Sequence, residues 1–170
     1  MKLEQPDWPH LLPARIVVNV ATLGPLGQRL PAPGTWGSVA GLAYFTVFFM
    51  NLGWVGTLLL GVAGIYVAIA FTGEAESRLG RRDPAEVILD EFVAMPLCYL
   101  GWTALPPSWP HWFVFLAGLG LFRFFDIIKP LGIRRLQKWP AGWGVVADDV
   151  AAALAACLTL HLAAWAWSLR

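Results

Sequence analysis

The chain has 170 residues, 58% of them apolar and only 14% charged, whereas soluble domains run at about 45–50% apolar and about 25% charged. That balance excludes an ordinary water-soluble fold, and a net charge of +1 argues against a nucleic-acid binder held by bulk positive charge. The length suits one domain over residues 1–170.

Taken in chain order, the first thirty residues hold Glu4, Asp7 and three prolines before any apolar run, so no secretory signal is expected there. Residues 39–73, 92–122 and 150–169 then carry no charged side chain, in stretches of 35, 31 and 20 residues. A bilayer core takes about 20 apolar residues as helix, so the expectation is an all-α, polytopic membrane bundle. The first stretch is too long for one span, and Asn51-Leu52-Gly53 supplies a turn near its middle, predicting helices at 36–50 and 53–73. The second divides at Pro106-Pro107-Ser108-Trp109-Pro110, where a helix cannot continue, predicting 87–105 and 110–126. A fifth helix is predicted at 149–168. The first of the five is short for a span and is expected to tilt, to extend into its neighbours or to be re-entrant.

With five spans, 11 of the 12 Lys and Arg fall on one side, which positive-inside topology assigns to the cytoplasm. Trp54, Trp102, Trp109, Trp112, Trp165 and Trp167 collect near the far interface, and Trp36, Trp139 and Trp143 near the cytoplasmic one. Cys98 and Cys157 read as small apolar fillers, with no metal spacing around them.

Five acids stand at the membrane edge on the cytoplasmic side. Asp90 and Glu91 are expected to open the third helix, Asp126 lies near the end of the fourth, and Asp148 and Asp149 are expected to open the fifth. Helix N-termini favour acids through capping and the macrodipole, which accounts for one such pair. Two pairs and Asp126 on one leaflet of one small bundle point instead to a wet, functional cavity. Carboxylates drawn together repel unless a cation joins them, and Mg²⁺ suits carboxylates, water and phosphate oxygens.

The same face carries cations for an anionic substrate. Arg123, Asp126 and Lys129 are spaced three apart and share one side of a helix end, and Pro130 follows. Arg134, Arg135 and Lys138 come next, either as anchors to anionic headgroups or, for Arg134, as a substrate contact. Pro33-Gly34-Thr35-Trp36-Gly37-Ser38 precedes the first helix, and either caps it or docks a phosphate on converging backbone N–H groups with the Thr35 and Ser38 hydroxyls. Gly142-Trp143-Gly144 offers a flexible approach to the second acid pair. The charges from Glu74 to Asp83 read as a solvated loop with no chemistry.

Together, Pro33-Gly34-Thr35-Trp36-Gly37-Ser38, Asp90-Glu91-Phe92-Val93, Phe122-Arg123-Phe124-Phe125-Asp126-Ile127-Ile128-Lys129-Pro130 and Gly142-Trp143-Gly144-Val145-Val146-Ala147-Asp148-Asp149 resemble the phosphatidylglycerophosphatase A family. The four blocks stand in the family's order and cover nearly the whole chain. Two positions depart from its pattern: Ala141-Gly142 stands where a Gly-Gly pair is usual, and Gly132 where a Pro is usual. Both are expected in loops and bear on local backbone shape, not on the acids.

The resemblance implies a Mg²⁺-dependent, multi-pass enzyme of the bacterial inner membrane with its site facing the cytoplasm. Its substrate would be phosphatidylglycerophosphate in membrane lipid, hydrolysed to phosphatidylglycerol and inorganic phosphate, with no obligate protein partner. Glu91, Asp126 and Asp149 would hold the metal, with Asp90 and Asp148 as further ligands or water-positioning groups. Lys129 and Arg123 would stabilise the transferring phosphoryl group, while Gly34, Thr35, Ser38 and Arg134 would bind substrate. Other phosphatase chemistries lack their parts: no Cys-x5-Arg loop and no Asp-x-Asp pair occur, and His111 and His161 fall away from the acidic face. The rivals are a small cation or proton transporter, disfavoured because no acid lies in mid-span, and a non-catalytic membrane subunit gripping a basic partner.

Overall fold

The computed structural model describes residues 3–130 and 132–170, and among these every regular element is helical. The elements are α1 (Ala14–Ala21), α2 (Pro25–Arg29), α3 (Pro33–Tyr44), α4 (Gly53–Leu79), α5 (Leu89–Ala94), α6 (His111–Ile128) and α7 (Gly142–Ser168), with short 3-10 turns between them. Three of them, α4, α6 and α7, are long and apolar enough to cross a membrane. At 1.5 Å per residue, the 27-residue α4 and α7 reach about 40 Å and the 18-residue α6 about 27 Å. Their outward faces carry Leu59, Val62, Leu116, Leu158 and Leu162, all exposed, as lipid-facing side chains should be.

Two further segments pack against these three helices without being long, regular helices themselves. The first, α3, continues through a π-turn at Phe45–Phe49, whose wider winding turns both Phe45 and Phe49 into the core. The second begins as α5, but Pro96 has no N–H to give. The backbone therefore tightens into a 3-10 turn at Met95–Tyr99, and Gly101 then reverses it with a left-handed φ of 72°. The predicted continuous helix at 87–105 is thus broken in two places. Buried Tyr99 donates to the Phe115 carbonyl at 2.7 Å, and Gly118 leaves the space that its ring occupies. Trp102 Nε1 donates to the Met50 carbonyl at 3.2 Å, joining the far ends of both segments.

Other boundaries also moved. The Pro33-Gly34-Thr35 segment is the first turn of α3, not a loop before it. The α4 helix runs on through Glu74, Glu76 and Arg78 to Gly80, which ends it in the left-handed conformation. The largest change is in α7, which starts at Gly142, so Asp148 and Asp149 lie about two turns inside it. Gln5 makes that early start possible: its Oε1 accepts the Gly142 N–H at 3.1 Å while its Nε2 donates to the Ile69 carbonyl at 2.7 Å. One of the otherwise unpaired N–H groups of the helix end is thereby satisfied.

Buried apolar residues form two clusters. One gathers Phe45, Tyr99 and Phe122 with Ala152, Ala156 and Leu160 of α7. The other packs Val17 and Ala21 of α1 against Ala68 and Phe71 of α4 and against Val93 and Val146. Helices α5 and α7 contribute to both, which fixes their relative height. The Ile88 N–H donates to the Ala21 carbonyl at 2.9 Å, so α1 also sets where α5 begins.

Candidate metal centre

Asp90 and Glu91 occupy the first turn of α5. Arg123 and Asp126 lie on the last turns of α6, and Lys129 caps that helix. Pro130 disfavours a helical conformation at the residue before it, and Lys129 takes a left-handed φ of 49°. This conformation ends α6 and turns the Lys129 ammonium towards α7, where it pairs with Asp148 while staying 3.8 Å from Asp126. Burial alone would lower the Lys129 pKa, but bonding and charge from Asp148, with Asp149 and Asp126, hold the ammonium above its ordinary value.

These groups line one cleft of about 320 Å³, together with Pro33, Gly34, Asp83 and Val145. Asp90, Asp148 and Asp149 are only 3–5% exposed. Carboxylate oxygens of Asp90, Glu91 and Asp149 lie within 4.8 Å of one another. Arg123 Nη1 donates to Asp126 at 2.7 Å and stands 3.9 Å from Glu91. Counting the exposed Asp83, six carboxylates therefore line a cleft that holds two cations. Asp90 Oδ1, Glu91 Oε2 and Asp148 Oδ1 are buried and have no hydrogen-bond partner among the described residues. An uncompensated buried charge is costly, and either a bound cation or a proton would relieve it. All the donors are hard oxygens, which suits Mg²⁺ or Ca²⁺ and not a thiophilic metal.

The glycines explain how the helices come this close. A Cβ on Gly37 would sit 3.0 Å from both Cβ and O of Ile88, and one on Gly41 would sit 2.6 Å from Met95 Cβ. A Cβ on Gly34 would collide with Glu91 Oε1 and stand 3.3 Å from Arg123 Nη1. This small-residue stripe presses α3 onto α5, as in close-packed membrane helices. Gly142 and Gly144 act the same way at the start of α7, where added side chains would strike the Ile69 and Trp139 carbonyls; they are packing positions, not a flexible approach.

Of the residues singled out from sequence, Asp90, Glu91, Arg123, Asp126, Lys129, Asp148, Asp149 and Gly34 meet in the cleft. The tight trio of acids contains Asp90, with Asp126 held aside by Arg123. Ser38 is buried behind the cleft, donating to the Gly34 carbonyl at 2.8 Å and accepting from Arg123 Nη1 at 3.4 Å. Thr35 and Arg134 are exposed and do not line it. Asp83, read as part of a solvated loop, does line it. Its φ is 48°, and its N–H donates to Glu76 Oε1 at 2.6 Å. The available signal was the Asp83-Pro84 step a few residues before the first acid pair, which keeps Asp83 at the same end of the bundle. No histidine is among the residues lining the cleft.

The family described as phosphatidylglycerophosphatase A matches residues 19–164. Phosphatidylglycerophosphatase A of Haemophilus influenzae is 34% identical over 143 residues, covering 76% of this chain and 77% of the relative. A Bacteroides thetaiotaomicron protein named putative phosphatidylinositol-3-phosphatase is 37% identical over 141 residues, covering 79% and 84%. Phosphatidylglycerophosphatase A of Escherichia coli is 28% identical over 138 residues, covering 81% and 77%. No solved structure gives a significant match.

Proposed function

The chain belongs to the phosphatidylglycerophosphatase A family, and from that premise we propose that it hydrolyses phosphatidylglycerophosphate to phosphatidylglycerol and inorganic phosphate with bound Mg²⁺. The observation that carries the reading is the meeting of Asp90, Glu91 and Asp149, from helices far apart in the chain, around oxygens that lack partners. Glu91, Asp149 and Asp90 would hold the ion, with Asp126 beside them. Bound there, Mg²⁺ supplies charge neutralisation and a water of lowered pKa.

The remaining work falls to the chain's own side chains. Arg123 and Lys129 offer fixed donors to the phosphoryl oxygens, where charge accumulates as the bond to the leaving oxygen breaks. Asp126 and Ser38 orient the Arg123 guanidinium, and Asp148 orients the Lys129 ammonium. Burial of the acids keeps bulk water from screening these contacts. Gly34 lets the first turn of α3 form one wall close to Glu91 and Arg123.

We further propose that the segments 33–49 and 89–104 also cross the bilayer, making five passes in a bacterial inner membrane, with the cleft at headgroup depth facing the cytoplasm. Charge supports this orientation: among the described residues, every Lys and Arg except Arg170 belongs to the helix ends and connections at the end bearing the cleft. In that position the acyl chains stay in lipid while the terminal phosphate reaches the acids.

Release of phosphate from phosphatidylglycerophosphate by the purified protein in mixed micelles tests the reading. The expected result is turnover that requires Mg²⁺ and stops with a chelator. Phosphatidylinositol 3-phosphate belongs in the same assay, because one relative's name points to that lipid. No phosphate released from phosphatidylglycerophosphate would end the proposal, and release from phosphatidylinositol 3-phosphate alone would reassign the substrate.

A further inference from the structure

A second hollow lies outside the acidic cleft and shares no lining residue with it. It is an open surface groove of about 700 Å³ between α1, α2 and the end of α4, and its charged lining is the exposed Arg15, Arg29 and Arg78. Arg78 is partly neutralised by Glu74 at 2.6 Å and donates to the His10 and Leu12 carbonyls. Arg15 and Arg29 form no ion pair among the described residues, and no acid lines the hollow. The polar wall is preorganised, with Gln28 Nε2 donating to Asn19 Oδ1 at 3.1 Å and to Thr22 Oγ1 at 2.9 Å.

The height of the hollow on the bundle suggests its occupant. The segment leading into α1 packs on the charged end of α4, where Trp8 meets the Phe71 ring edge-on at 5.3 Å. Phe71 is close to the last apolar residues of that helix before Glu74 and Glu76. Leu11 and Ile16 are exposed, at 76% and 45%, beside the arginines. Exposed apolar side chains next to basic ones, at the end of a membrane-crossing helix, is the arrangement of an interfacial helix on an anionic leaflet. A groove of this volume has room for a small polar headgroup.

We propose that the α1–α2 groove is a second lipid site, which holds the phosphate of an anionic phospholipid between Arg15 and Arg29 while Leu11 and Ile16 enter the acyl region. The occupant is a bound lipid and not a second substrate, since no acid or other hydrolytic group lines the groove. The inference rests on the proposed bilayer placement of the chain and is independent of its phosphatase activity.

The test is native mass spectrometry of the full chain released from detergent, titrated with phosphatidylglycerol, with phosphatidylcholine or with inorganic phosphate. The comparison is with the double variant Arg15→Gln/Arg29→Gln and with Arg15→Lys/Arg29→Lys. The expected result is one phosphatidylglycerol retained in preference to phosphatidylcholine, with retention weakened roughly tenfold or more in the Gln variant and largely kept in the Lys variant. Equal retention of both lipids, or no change in the Gln variant, would overturn the proposal. So would binding of inorganic phosphate that the variant abolishes while lipid retention is unaffected, because the groove would then be a site for the free anion. Phosphate release from phosphatidylglycerophosphate is measured on the same samples. Lipid retention without turnover leaves the groove standing and removes the phosphatase reading, and turnover without selective retention does the reverse.

Discussion

The two acid pairs look alike in sequence and are held in opposite ways. Asp90-Glu91 sits in the first turn of a six-residue helix, where unpaired N–H groups and the helix dipole favour negative charge. Asp148-Asp149 sits well inside a 27-residue helix, where the backbone N–H groups are already engaged. Helix-end electrostatics therefore explains the first pair and not the second. Neighbours on a helix point about 100° apart, and that rotation divides the second pair. Asp149 turns to Asp90 and Glu91, while Asp148 turns to Lys129. One pair acts as a unit, and the other is two residues with separate partners.

The sharpest way to break this comparison is Asp149→Asn. Phosphate release is expected to fall by roughly a thousandfold, the scale of losing a preorganised charged group at a reacting centre. The same substitution removes a buried charge from among like charges, so the metal-free variant should unfold at a higher temperature than the metal-free parent. Mg²⁺ should raise the melting temperature of the parent and have little effect on the variant, by mass action on the folded state. Melting curves with and without chelator check both signs, and a parent unaffected by Mg²⁺ would remove the metal from the account.

Lys129→Met tests the other half. It leaves Asp148 buried without its cation, and about 2–3 kcal/mol of stability should be lost, less than the roughly 3–5 kcal/mol for breaking a fully buried pair because Lys129 is 18% exposed. The double variant Lys129→Met/Asp148→Asn should recover much of that loss. Thermal unfolding of the cycle in detergent measures the coupling, and simple additivity would show that the pair is not one.

Smaller effects come from the packing that brings the pairs together. Gly41→Ala would place a Cβ 2.6 Å from Met95 Cβ and 2.8 Å from the Phe92 carbonyl. About 1–3 kcal/mol of overpacking should follow, with reduced turnover as α5 is pushed from α3. The smallest change is expected at Ala141, whose φ of 45° and ψ of −139° are unfavourable for any side chain. Ala141→Gly should stabilise the fold by about 0.5–1 kcal/mol with turnover unchanged. A lower melting temperature would mean that this backbone is not strained.

Much of the molecule was legible in the chain. Apolar run length showed the helical membrane class, because the bilayer imposes a length on any segment that crosses it. The acids, Arg123 and Lys129 stood out because charge beside long apolar runs is expensive unless it is used. Less legible were the breaks. Pro96 lies inside a run that is otherwise helical in character, and where the backbone tightens after it depends on what Tyr99 and Trp102 can reach. Asp83 was missed because it stands among other charges, where the one local signal, its Asp-Pro step shortly before the first acid pair, is weak.

The amino-acid order alone determined which residues are costly to bury and which segments must be helical, since both follow from local composition against the solvent. Only the tertiary structure decided which carboxylates gather together and which one takes a lysine. It also decided that Ser38 stands behind the cleft while Thr35 and Arg134 lie outside it. Those outcomes depend on helix phase and on a few glycine contacts shorter than a side chain would allow, and a difference of one residue in where α7 begins would rotate every acid on it by about 100°.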